Sequence, residues 1–397
     1  MVNQSISVLI LLLSVLSSSC ALRPTAGGGY RLDRPFRDFY DTAFILTNAG
    51  KTTPREITLA QAADVLAGYD VVFFGENHGH PGVHLQEMKL LRALHERNSR
   101  WVVSFEQFER DVQGVIDDYL AGRIGESTLI AKGRAWNNYA ASYRPLLIYA
   151  RTEDLPVVAA EAPGWAVSCV GQWGTPILEQ FTPLERSFVA RTVEVQAGAY
   201  RDKYMAFLSG SPTHGDAAPG RTPTHDAPAA DIDTAAATAT APAPAPAAAA
   251  AKAERSFAAQ VTRDDTMAEA IGDALDQHPG YHLLHLTGSF HAAEFLGTVQ
   301  RLRQLNPRLK VAVIDPVEVA DTATPGFGPQ EAGGGTILQL IYPNPEALAD
   351  GEDMSAMMAT MARAHEINRC KYSPPGAPPA DAPGAVPQTA PLPARAP

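Results

Sequence analysis

Four short segments each end an apolar run with an acid or an imidazole: Gly75-Glu76-Asn77-His78, Ser104-Phe105-Glu106, Ala160-Glu161-Ala162-Pro163 and Gly288-Ser289-Phe290-His291. Imidazole plus carboxylate is the donor set of a divalent transition metal such as zinc, manganese or cobalt. A spare glutamate beside the ion can act as general base on a bound water. Glu76, His78, Glu106 and His291 are therefore the predicted metal ligands, and Glu76 and Glu106 the catalytic carboxylates if the protein is a hydrolase. Each residue alone has an ordinary reading. A glutamate after a strand caps the next helix, and a lone histidine is a hydrogen-bonded turn residue. The fourfold recurrence is what points to one site. His84 follows closely enough to share it with His78, or else takes a surface position at the start of the helix that leaves the first turn. His282 and His285 lie inside an apolar run and read as structural groups.

For these residues to meet, the runs before them must be parallel strands. The runs are 70–75, 101–105, 156–160, 281–287, 310–314 and 336–342, nearly continuous in Val, Ile, Leu, Ala and Phe, as suits strands covered on both faces. Helical spacing recurs between them, over 83–98, 111–120, 128–150, 265–277 and 292–305. Strand and helix in alternation predict a three-layer α/β/α domain with a mostly parallel central sheet. In such a sheet the carboxyl ends of neighbouring strands share one edge, where ligands bind. Gly75 and Gly288 are read as turn glycines whose unrestricted φ lets the chain bend sharply.

A formal charge of −11 and Lys and Arg residues scattered singly exclude a nucleic-acid partner, because no basic stripe meets the phosphates. The apolar run within 7–17 is too short for a bilayer-spanning helix, and it ends in small residues before Cys20. That pattern predicts a lipoprotein-type signal peptide over 1–20, a lipid anchor on Cys20 and a place in the cell envelope, at the outer membrane or in the periplasm. Simple secretion is the alternative, since 1–5 carry no Lys or Arg and Ser17 stands where such signals usually have Leu. Residues 21–33 read as a tether and 34–345 as the domain. Within it, 209–251 is an Ala/Pro/Thr insertion predicted to be disordered, as is the Pro/Ala-rich tail 373–397. His214 and His225 lie in that insertion and read as no more than part of it. Cys169 and Cys370 either pair or remain free thiols.

The segment from Arg134 to Pro145 holds Trp136, Tyr139, Tyr143 and Arg144, more aromatic and Arg groups than an amphipathic helix requires. It reads either as a surface that stacks on a flat macrocycle, with a tyrosinate as iron ligand, or as a core-packing helix with Arg144 in an ion pair.

In order along the chain, GENHGHPGVHLQ, SFEQFERDVQ, RAWNNYAASYRPL and LTGSFHAAEFLG resemble the ChaN family of haem-binding lipoproteins, over about 36–342 less the insertion. That family lies in a superfamily with the Tiki and TraB metalloproteases and erythromycin esterase. The resemblance implies haem iron held at the cell envelope for iron uptake, with a tyrosine as ligand and a histidine nearby. It also implies two cofacial subunits and exchange with a haem receptor or transporter. The positions carried across are His78, His84, Tyr139 and Tyr143, with Trp136 and Arg144 beside them. The superfamily's paired Gly-x-x-His turns and glutamate map onto 75–78, 288–291 and Glu106, which in the proteases hold a divalent metal. Family members often carry Asn and then Ala-Pro-Arg after the third strand, where this chain has Glu161 and Gly164. That departure bears on any anion-binding role of the turn. The alternative to haem binding is a metal-dependent hydrolase of protease or esterase type, and a third reading is a scaffold with a vestigial site. A haem binder needs an open aromatic face, a hydrolase a closed metal cage beside a substrate groove.

Overall fold

The computed structural model describes residues 22–209, 246–345 and 368–374. Eleven strands occur among them: β1 (Arg23–Pro24), β2 (Tyr30–Arg31), β3 (Thr42–Leu46), β4 (Arg55–Ile57), β5 (Val71–Glu76), β6 (Trp101–Glu109), β7 (Val157–Glu161), β8 (His282–Gly288), β9 (Val311–Glu318), β10 (Gly326–Phe327) and β11 (Ile337–Ile341). Eight of them form one sheet in the order β4-β3-β11-β9-β5-β8-β6-β7. From β11 to β7 every neighbouring pair is parallel, and β3 and β4 complete the edge antiparallel. All six predicted runs are strands of this sheet, and its parallel part has the predicted three layers.

The layers follow from alternation along each strand. Val72 and Phe74 of β5, with Val103 and Leu284, face the 81–97 helix through Leu90, Leu91 and Leu94. Val71 and Phe73, with Val102 and Leu283, face the other way, onto Ala268 and Ile271 of the 246–277 helix and Val299 and Leu302 of the 297–305 helix. Both faces are buried, and each large side chain so covered contributes roughly 1.5–3 kcal/mol.

Chain order fixes where the site lies. From β5 the chain crosses one face to β6, and from β8 it crosses the other face to β9, although β5 and β8 are neighbours. The connections part at these two strands, which opens a crevice at their carboxyl ends.

Several predicted boundaries move. The 128–150 stretch is three helices, Glu126–Lys132, Tyr139–Ser142 and Arg144–Thr152, broken at Arg134, whose φ is +52°. The 292–305 stretch is helical only from Gly297, after two 3-10 turns with Glu294 and Phe295 at positive φ. The helix expected at 265–277 begins at Pro246, because its alanines carry the helix back into residues assigned to the insertion. Residues 210–245 and 375–397 lie outside the described residues, as does the signal segment 1–20. The tether is in part a small sheet: β1 and β10 both pair with β2, and Leu32 is buried under it.

Cys169 and Cys370 are bonded to one another. The bond fastens residues 368–374 to the 164–173 helix, where Trp173 donates to the Tyr372 carbonyl and Tyr372 donates to Glu185.

Candidate functional site

Glu76 is the last residue of β5 and is in register with Gly288, the last of β8, so the two glycine-led turns leave from adjacent strands. Neither Gly75 nor Gly288 takes a left-handed φ. What the positions need is room, not the turn freedom predicted for them. A Cβ on Gly288 would lie 2.9 Å from His78 Nε2, and one on Gly75 3.2 Å from the Ser289 Cα. The left-handed residue is Gly79, at φ +81°, whose N–H donates to His84 Nε2 at 3.0 Å.

Around Glu76 the chain assembles one half of the site. Its Oε1 lies 2.6 Å from His78 Nδ1 and accepts from the Tyr143 hydroxyl at 2.6 Å and the Gln107 amide at 3.0 Å. His84 Nδ1, on the first turn of the 81–97 helix, lies 2.9 Å from Glu87 Oε2 and 3.9 Å from Glu76 Oε2. Glu76 and Glu87 are completely buried and interact carboxyl to carboxyl, a contact that needs a proton or a cation between them. Burial, helped by the charge of Glu87, pushes the Glu76 carboxyl up to about 7, and burial pushes Glu87 up to about 7 as well.

The other half gathers around Glu106. Its Oε2 accepts from the Thr287 hydroxyl and the Gly288 N–H, each at 2.6 Å, and its Oε1 from Arg263 at 2.7 Å. Arg263 reaches in from the 246–277 helix and also binds Glu161 Oε2. His291 Nδ1 lies 2.7 Å from Asp264 Oδ1, an oxygen that also accepts from Thr298. Burial alone would raise the Glu106 carboxyl, but His291 and Arg263 outweigh it and hold the group well below the usual carboxylate range.

His78 joins the halves. Its Nδ1 is at Glu76, and its Nε2 lies 3.9 Å from Glu106 Oε1, the same oxygen that has His291 Nε2 at 3.8 Å. A bulge in β6 makes this possible: Phe105 and Glu109 pair with Ala159 and Glu161, so four residues of one strand span two steps of the other. Successive side chains of a regular strand point to opposite faces, whereas here Glu106 and Gln107 both reach the site.

All four predicted metal ligands thus lie at one edge, but they are not equivalent. Both oxygens of Glu106 are engaged by donors and its charge is balanced by Arg263, so it is not an open ligand. Glu161 balances the same arginine, which gives it a structural role in place of an anion-binding one. The aromatic segment divides as well. Trp136 packs edge-on against His78 with centroids 4.9 Å apart, and Tyr143 packs edge-on against His84. Tyr139 and Arg144 turn away to Glu126, at 3.3 and 2.6 Å, with the Tyr139 ring against Phe108. Both phenols are buried and lie beside carboxylates, and burial followed by neighbouring charge raises both above their ordinary value. Of the other histidines, His282 lies at the Tyr69 carbonyl and buried His285 at Ser104.

Sequence reasoning missed Glu87, Gln107, Arg263 and Asp264. Glu87 had a signal, since it stands three residues after His84 on one helix face. Arg263-Asp264-Asp265 is a charged triplet whose part-buried arginine and buried aspartates nothing in the local pattern announced.

Among solved structures, the chain is similar to one described as cofacial heme binding to ChaN of Campylobacter jejuni, at 13% identity and a TM-score of 0.49, covering 77% of this chain and 98% of that one. It is also similar to an erythromycin esterase mutant, EreC, in its open conformation, at 11% identity and a TM-score of 0.37, covering 72% and 82%. No curated protein matches. A family model described as haem-binding uptake, Tiki superfamily, ChaN matches residues 62–302, more than half of the chain and every residue of both half-sites, and the chain belongs to that family.

Proposed function

We propose that this chain binds haem at the cell envelope as a step in iron acquisition, with His78 as the residue that meets the iron. One observation carries the assignment. His78 is the partly exposed imidazole of the site, at 13% of its side-chain surface, with Nδ1 held 2.6 Å from the Glu76 carboxylate and its ring against Trp136. A carboxylate on Nδ1 fixes the tautomer and makes Nε2 the more basic nitrogen, which is how a protein prepares an imidazole for a metal. Nε2 faces Gly288 and Glu106 in this structure, so in this reading the imidazole turns outward from them to meet the iron. Haem supplies the iron, and Trp136 the flat apolar contact beside it.

Tyr139 and Tyr143, the ligands implied by the family resemblance, fit less well. Each phenol lies in the core with a carboxylate at its hydroxyl, and ionisation there is opposed by burial and charge.

The envelope location is supported by the apolar run before Cys20 and by the Cys169–Cys370 bond, since such bonds persist in oxidising compartments. No helix among the described residues is long and apolar enough to cross a membrane. In this reading the lipid on Cys20 is the anchor, a receptor or transporter is the partner that exchanges haem, and two copies can share a cofacial pair.

The test is a haemin titration of the purified chain, followed in the Soret region. A saturable band that is lost in His78→Ala and kept in Tyr139→Phe and Tyr143→Phe is expected. A band that survives His78→Ala and disappears in either tyrosine variant moves the ligand to that tyrosine, and no saturable band removes the haem reading.

A further inference from the structure

We propose that Glu76, His84 and Glu87 hold a divalent first-row transition metal ion, a trio different from the Glu76, His78, Glu106 and His291 set that the sequence pattern singles out.

The case begins with the balance of charge between the two halves. Buried carboxylates are costly unless a cation or a full set of donors meets them. Glu106 and Glu161 share Arg263. Asp264 has His291, Thr298 and Tyr200. Glu76 and Glu87 have no Lys or Arg partner among the described residues, and what faces them is imidazole, phenol and amide. One half of the site therefore carries a fixed guanidinium, while the other presents two fully buried acids met by imidazoles and neutral donors, whose mutual contact takes either a shared proton or an ion.

Unmet oxygens point the same way. Glu76 Oε2 and Glu87 Oε1 are buried with no donor, whereas Glu76 Oε1 accepts from Tyr143 and Gln107. One donor atom each from Glu76, His84 and Glu87 lies within 4.8 Å of the others, which places all three about one point. An ion taken by His84 Nδ1 would replace the proton that now faces Glu87 and displace the Gly79 N–H from Nε2. Tyr143 and Gln107 then act as outer partners that fix the Glu76 carboxylate and leave its second oxygen for the ion.

The donor set decides the class of ion. Two carboxylate oxygens and one imidazole nitrogen suit zinc, manganese or iron(II), while magnesium and calcium favour oxygen alone. The ion would lie behind His78, beneath the surface on which haem is proposed to sit. Glu76 is common to both proposals, through Oε1 to His78 and through Oε2 to the ion, but the residues that would meet haem and those that complete the ion's ligands are otherwise different.

The full-length protein, stripped with chelator and dialysed, is titrated with Zn²⁺ and with Mn²⁺ by calorimetry, alongside Glu87→Gln, Glu106→Gln and His291→Ala. One ion per chain is expected, with affinity falling roughly 100-fold or more in Glu87→Gln and changing only a few-fold in the other two. No saturable binding by the parent overturns the proposal. So does binding that survives Glu87→Gln but is lost in Glu106→Gln or His291→Ala. Should Glu87→Gln fail to fold, zinc-edge absorption on the loaded parent decides: one imidazole among oxygens is expected, and two imidazoles overturn it. Haemin titrated into the same samples reads the haem proposal separately, so failure of either is told from failure of the other.

Discussion

Asp264 Oδ1 lies 2.7 Å from His291 Nδ1, the same relation that Glu76 bears to His78 from the opposite side of the site. Two carboxylate-backed imidazoles thus present Nε2 to one oxygen of Glu106, at 3.8 and 3.9 Å. Thr298 and Tyr200 both donate to Asp264 and fix its carboxylate. Replacing it with Asn sets an amide N–H against donors that need an acceptor. Asp264→Asn is expected to cost roughly 1.5–3 kcal/mol, the range for buried hydrogen bonds to charge, measured by urea denaturation. A loss within error would show that His291 is held by something else.

Arg263 is the counter-charge for Glu106 and Glu161 together. Arg263→Met leaves two carboxylates buried near each other, and breaking such an arrangement from one side costs about 3–5 kcal/mol. Adding Glu161→Gln to that variant is expected to recover part of the loss, because one of the stranded charges is gone. A double variant no more stable than the single one would contradict the shared role.

The Cys169–Cys370 bond closes a loop between residues 201 apart in sequence. Long loops gain most when the unfolded chain is constrained, so Cys370→Ser is expected to lower stability by roughly 2–5 kcal/mol. The same loss should follow from reductant in the parent and be absent when reductant is added to the variant. Denaturation curves with and without reductant check both.

Asp315 gives a pH signature. Burial, reinforced by Glu294 and Glu331 and partly offset by Lys203, raises its carboxyl to about 7 from the unfolded value of 3.8. The fold therefore favours the protonated form. The stability this group contributes is complete below the unfolded value and is lost as pH rises toward about 7. Asp315→Asn imitates the protonated acid. The variant should gain on the parent between pH 5 and pH 8, by an amount on the order of a few kcal/mol, read from melting curves. A difference that does not change with pH would place the cost elsewhere.

The sheet was legible because its strands are near-continuous apolar runs bounded by polar turns, and Val71 to Phe74 carry that signal without help from the rest of the fold. The convergence of Glu76, His78, Glu106 and His291 was legible for the same reason, since parallel strands end at one edge. What the pattern concealed was partnership. Nothing near Glu106 in sequence announces Arg263, which lies 157 residues away. Helix breaks at Arg134 and before Gly297 depend on positive φ at non-glycine residues, which tertiary packing imposes against local preference. The Gly288 position was read as a bend and is a vacancy kept for His78.

Strand β5 is synthesised first among the parallel strands, yet its two neighbours, β8 and β9, are supplied by residues 282–288 and 311–318. Until residues 282–288 have emerged both hydrogen-bonding edges of this apolar strand lack their native partners, and one edge still does until residues 311–318 follow, an arrangement that invites pairing with other chains. The crevice at its tip is therefore finished late, and a chain truncated before residue 311 would display the strand without the pocket.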